Sequence, residues 1–108
     1  MSIVMNLYYS GKNGNARAFA EEMESSGLAS LIRAETGNER YEYYFPMNDP
    51  QTVMLIDAWR DQEALNAHHD SPLMEQVMEL RIKYDLHMRA ERYLSGNAPV
   101  SDKKFIRK

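Results

Sequence analysis

Two histidines stand side by side in the stretch "EALNAHHDSPLM", residues 63–74. The chain has three His and no Cys. An inward-facing imidazole can act as a general base or hydrogen-bond donor in a small-molecule site. Lack of thiols excludes disulfides, thiolate catalysis and zinc–thiolate centres together. Two other residues could orient a ligand. Asn6 lies inside "IVMNLYYS", where a buried amide would need partners. Trp59, the single Trp, closes "TVMLIDAW". Its indole N–H could meet a ligand oxygen, or its ring could simply plug the sheet against a helix.

Helical geometry separates the histidines. Successive residues lie about 100° apart, so His68 and His69 cannot share a face. His68 aligns with Ala64 and Leu65, the buried side. His69 aligns with Gln62 and Asn66, at the edge or in solvent. Helical metal ligands sit at i, i+3 or i, i+4, so no metal site is expected. Two readings of His68 stay open: a core histidine satisfied by backbone or Tyr, or a base at a pocket between helix and sheet. Tyr41, Tyr43 and Tyr44 fit ordinary strand composition. Glu21, Glu22 and Glu24 fit a solvated helix face.

Alternating patterns must position these groups. Residues 3–10 are β-branched and aromatic and end at Gly11, as a strand does. Ile3, Met5 and Leu7 share one face; Val4, Asn6 and Tyr8 share the other. Ala16, Phe19, Ala20 and Met23 fall at helical spacing. Gly27 interrupts, and Leu28, Leu31 and Ile32 resume, so the helix bends near Ser25–Gly27 and ends by Gly37. "RYEYYFP" is a strand, "MNDPQ" a turn, and "TVMLIDAWR" a strand apolar on both faces except for Asp57. The two strands make a hairpin. Asp61 caps the helix "QEALNAHH". Ser71 caps another with Pro72 at its first position, and Leu73, Val77, Leu80 and Tyr84 form its apolar stripe. "LHMRAERYL" is the last strand. The domain therefore spans residues 1–94, and 95–108 form a polar tail. Within the tail, Ser101 is read as a helix cap, and Phe105 and Ile106 as a pair that docks on the subunit or its partner.

The order β-α-β-β-α-β is the ferredoxin-like, α+β arrangement: an antiparallel four-stranded sheet with helices on one face. One sheet face is left bare. In 108 residues nothing else covers it, so a homodimer through the sheet is expected. A net charge of −3 argues against a nucleic-acid surface. No stretch approaches a membrane span and no leader opens the chain, so the expectation is a cytoplasmic protein. Eight Met and seven Tyr suit a pocket, an interface or an ordinary core.

The stretch "YEYYFPMNDPQTVMLIDAWRDQEALNAHHDSP" resembles the antibiotic biosynthesis monooxygenase family, including its small quinol monooxygenases. The resemblance covers residues 3 to about 94, and its most specific parts are the Tyr-rich strand, the strand ending in Trp59, "RDQEAL", and His68 followed by "SP". It implies a dimeric α+β barrel with a pocket in each subunit between sheet and helices. Enzymes of the family oxygenate quinols or polyketide-like phenols without flavin, haem or metal, the substrate itself supplying electrons to oxygen. The Asn, Trp and Tyr of the aromatic-polyketide branch fall on Leu55, Trp59 and Leu65, so two of the three polar groups are replaced. In the haem-degrading branch the Asn falls on Asn6, the Trp on His68 and the haem-ligating His on Met78, which argues against haem degradation. A branch that isomerises a phosphorylated signalling sugar shares His68 and Pro72, but its next His is Leu73.

The expectation drawn from residues and resemblance is a monooxygenase that needs no cofactor and oxidises a quinol-like or phenolic molecule with O2. His68 is its base, and Asn6, Trp59 and Tyr44 contact the aromatic substrate. The competing readings are an isomerase or lyase using His68 for proton transfer, and a non-catalytic ligand-binding module.

Overall fold

The computed structural model describes residues 1–107. Four strands, β1 (Ile3–Ser10), β2 (Asn38–Tyr44), β3 (Thr52–Trp59) and β4 (His87–Leu94), form one antiparallel sheet in the order β2-β3-β1-β4. Helices α1 (Asn15–Ser25) and α2 (Leu28–Arg33) connect β1 to β2; α3 (Gln62–His69) and α4 (Pro72–Lys83) connect β3 to β4. The protein is thus an α+β, ferredoxin-like fold. β2 starts two residues earlier than expected and ends before Phe45 and Pro46; proline has no N–H for the ladder.

Alternation sorts the sheet into two faces. Ile3, Tyr9, Tyr41, Val53, Leu55, Asp57 and Trp59 are buried beneath the helices. Phe19 and Met23 from α1, Ile32 from α2, Leu65 from α3 and Val77 from α4 fill the space above them. The bend between α1 and α2 falls where Gly27 adopts φ +83°, a conformation that glycine enters without steric cost.

The opposite face carries Val4, Asn6 and Tyr8 of β1, Met54, Ile56 and Ala58 of β3, and Arg40, Glu42 and Tyr44 of β2, by the register of the ladders. The helices of the domain pack on the other side, and on this face Ala58 is buried while Val4, Asn6, Tyr8, Met54 and Ile56 are half-buried.

The tail departs from expectation in two ways. Its short helix α5 (Val100–Lys103) has Pro99 at the N-cap, so Ser101 lies inside it and caps nothing. Phe105 and Ile106 are 81% and 54% exposed and do not dock on their own subunit. Four residues of helix bury too little to hold such a segment down.

Candidate active site

β3 and α3 build the site together. Asp57 and Trp59 are two residues apart, so both point to the helix face. Asp61 then stops the strand and starts α3, its carboxylate accepting the Ala64 N–H at 2.8 Å. That cap fixes the helix phase, which turns Ala64, Leu65 and His68 inward and leaves His69 exposed.

His68 is 4% exposed. Its ring stacks on the Trp59 indole, centroids 4.5 Å apart and planes 25° apart. Tyr41 meets it edge-on at 6.4 Å. His68 Nδ1 is 2.7 Å from Glu35 Oε1. A carboxylate oxygen in this position accepts, which puts the hydrogen of the contact on Nδ1. Glu35 reaches His68 because the α2–β2 turn runs tightly past α3. The Arg60 N–H donates to the Gly37 carbonyl at 2.8 Å, and a Cβ on Gly37 would stand 2.5 Å from the Ala64 Cβ.

Beside this pair lies a second carboxylate. The Trp59 Nε1–H donates to Asp57 Oδ2 at 3.1 Å, so the indole N–H is used inside the protein. Asp57 is 4% exposed, and its Oδ1 has no hydrogen-bond partner among the described residues. Burial holds its pKa above the ordinary carboxylate range, against the Trp59 hydrogen bond, which acts to lower it.

Tyrosines extend the cluster. Arg81 of α4 donates to the Tyr9 hydroxyl at 2.7 Å, and the Tyr41 and Tyr43 hydroxyls are 3.4 Å apart. Burial raises the pKa of all three. They stay neutral hydroxyls at physiological pH.

The fold brings His68 and Trp59 together. It does not bring Asn6 or Tyr44 to them. Asn6 is paired across the ladder with Ile56 and Glu91, on the open face. Tyr44 is on that face too, its hydroxyl donating to Glu42 and accepting from Arg40. Sequence reasoning passed over Glu35 and Asp57. Asp57 carried a signal, a charge inside an otherwise apolar strand. Glu35 carried none, since 33 residues separate it from His68.

Among the described residues no group of three His, Cys, Asp or Glu side chains is placed to hold a metal ion, and no helix is long and apolar enough to cross a membrane. Surface cavities of about 390 to 570 Å³ open elsewhere among the described residues, lined by residues other than His68, Trp59 and Asp57.

Residues 1–80 match the model of the antibiotic biosynthesis monooxygenase family. The chain belongs to that family. Its similarity to "Putative monooxygenase YcnE" of Bacillus subtilis (strain 168) is 28% identity over 69 residues, 64% of this chain and 70% of that protein. The fold is shared with a crystal structure from Deinococcus radiodurans bearing the same family name, at TM-score 0.76 and 16% identity over 90% of this chain and 95% of that one. It is shared equally with SnoaB, a cofactor-independent oxygenase from Streptomyces nogalater, at TM-score 0.74 and 11% identity over 90% and 95%. As a member of the antibiotic biosynthesis monooxygenase family, the protein keeps the sheet and helix layer of these structures. Its own carboxylate–imidazole–indole cluster sits between the two.

Proposed function

We propose that the protein is a cofactor-independent monooxygenase that oxidises a quinol-like or phenolic small molecule with O2, using His68 as its base. The observation that carries this reading is the 2.7 Å contact between His68 Nδ1 and Glu35. A carboxylate on Nδ1 fixes the tautomer, orients the ring and stabilises the imidazolium formed when Nε2 takes a proton. Trp59, stacked beneath, is a positioning residue that keeps the ring in plane.

For an anthrone-like substrate the step balances without an added reductant. His68 Nε2 removes the proton of a CH2 made acidic by the aromatic system. The resulting anion supplies electrons to O2, and a C–O bond forms as a hydroperoxide. Loss of water, taking up both hydrogens of the CH2, leaves a carbonyl. One oxygen atom is retained and the other leaves as water. Dry surroundings favour this chemistry, because a buried anion is not quenched by bulk solvent. His68, Trp59 and Asp57 are all buried, so the proposed base works away from bulk solvent. Asn6 and Tyr44 take no part in this chemistry from the open face.

The same reading takes the open face as the contact of a homodimer. Val4, Tyr8, Met54, Ile56 and Ala58 form an apolar strip there of the kind that a second copy covers.

The test is oxygen uptake by metal-stripped, flavin-free protein against reduced quinols and anthrone-like phenols, with His68→Ala alongside. Uptake above the spontaneous rate that falls in the variant is expected. Uptake that survives in His68→Ala would remove the base role, and no uptake across the panel would remove the activity. The burial of His68 favours one competitor, in which the His68–Glu35 pair only ties the α2–β2 turn to α3. On that reading the variant loses stability while ligand turnover is untouched.

A further inference from the structure

Most buried polar groups in a well-packed protein find a partner, and each exception asks for an explanation. Asp57 Oδ1 is such an exception. It is buried, it is unpartnered among the described residues, and it lies on the face that carries Trp59 and His68. Its sister oxygen is pinned by the Trp59 indole, so the carboxylate cannot rotate to satisfy Oδ1 without breaking that bond. In the ladder Asp57 stands next to Tyr41 of β2. Asp57 and Arg81 of α4 both act electrostatically on the Tyr9 and Tyr41 hydroxyls. Arg81 Nε is also buried and unpartnered among the described residues. The chain thus buries both an unused acceptor on β3 and an unused donor on α4.

We propose that Asp57 is a substrate-contacting residue: its Oδ1 accepts the hydroxyl hydrogen of the phenol or quinol, while Trp59 acts through it as a positioning residue by holding Oδ2. This rests on the reading of the His68 junction as the active site. It narrows the substrate class to molecules with a free hydroxyl near the carbon or oxygen that His68 deprotonates. A masked hydroxyl, as in an aryl ether, leaves Oδ1 facing an alkyl group and the desolvated acceptor still unpaired.

The chemistry makes a specific demand on Asp57→Asn. Indole N–H is a donor only, so it must meet the amide oxygen. The amide NH2 then occupies the place of Oδ1. An acceptor becomes a donor, and preference should pass from a hydroxyl to an oxygen without hydrogen. A merely structural Asp57 would change affinity for all ligands alike.

The experiment is anaerobic calorimetric titration of the full chain with dihydroxyanthrone and with its dimethyl ether. The wild type is expected to bind the free phenol at least about tenfold more tightly. Asp57→Asn should abolish or reverse that ratio, and Trp59→Phe should shrink it while leaving its direction. Equal binding of phenol and ether by the wild type overturns the proposal without any variant, so a poorly folding Asp57→Asn does not protect it. A ratio kept intact in Asp57→Asn also overturns it. If His68-dependent oxygen uptake persists in either case, the monooxygenase reading stands and only the Asp57 contact falls. If neither probe binds and no uptake occurs with reduced quinols or phenols, both fall.

Discussion

The imidazole of His68 and the indole of Trp59 are stacked, 4.5 Å between centroids, and each ring is held by a different carboxylate. Glu35 holds His68 and Asp57 holds Trp59. Two acids and two rings therefore behave as one buried unit, and changes in any member should be felt by the rest.

Removing the ring from this unit should be expensive. His68→Ala leaves a cavity beside Trp59 and strips Glu35 of its partner, so a stability loss of about 2–4 kcal/mol is expected in urea or guanidinium unfolding. Glu35→Gln keeps the shape of the contact and should cost about 1 kcal/mol or less. Oxygen uptake should separate the two effects. If Glu35 tunes a base, Glu35→Gln lowers turnover about tenfold or more with little loss of stability.

Asp57 should leave a mark on the pH dependence of stability. Its carboxyl titrates higher in the folded state than in the unfolded chain, because burial disfavours its charge. Between the two pKa values the native state holds a proton that the unfolded state has lost. Stability must therefore fall as pH rises through that window. Asp57→Asn cannot titrate, so the stability of the variant relative to wild type should grow as pH rises above about 4, the unfolded carboxylate range. Thermal or chemical melts of both proteins across that range check the slope. A constant difference would show that Asp57 is not perturbed by folding.

Gly37 is a narrow point in the architecture of the site. Its φ is +82° and its missing Cβ makes room for Ala64 of α3. Gly37→Ala combines backbone strain with a clash against a fixed helix, and a loss of about 2–4 kcal/mol is expected. The Trp59 fluorescence of the folded variant should also change, since pushing α3 away moves His68 off the indole. Unchanged emission together with unchanged stability would contradict this geometry.

The open sheet face supplies a prediction about assembly. Ile56 stands at its centre, between Glu42 of β2 and Asn6 of β1. Ile56→Lys should convert a dimer to a monomer in sedimentation, with the monomer still folded, because the helix-side core is untouched. Truncation after Pro99 should not lower the stability of that monomer, since Phe105 and Ile106 touch little of it. If truncation weakens the wild-type dimer instead, the tail docks across to the partner.

Much of the fold was legible because period-2 and period-3.6 patterns are local properties of the chain. The strands, the bend at Gly27, the caps Asp61 and Ser71 and the inward phase of His68 all follow from neighbours within a few residues. The order of elements then leaves few ways to cover one sheet face. The site was legible only in part. Trp59 and His68 are nine residues apart in a strand–helix unit, so their encounter is nearly a local event. Asn6 is misplaced by the same local logic if it is grouped with them: it alternates with Met5 and Leu7 and must face away.

The sequence alone determined which residues turn inward, because alternation and helical phase depend only on residue type and spacing. The tertiary structure decided what those residues meet. The Glu35–His68 contact depends on how closely the α2–β2 turn passes α3, which is set by the absent side chain of Gly37 and the hydrogen bond from Arg60. The orphaned oxygen of Asp57 depends on where the Trp59 N–H points after the helices close over the sheet. Neither is a property of any short segment. Both arise when parts distant in the chain are forced to share one buried volume, where every polar atom must be matched or be left unmatched.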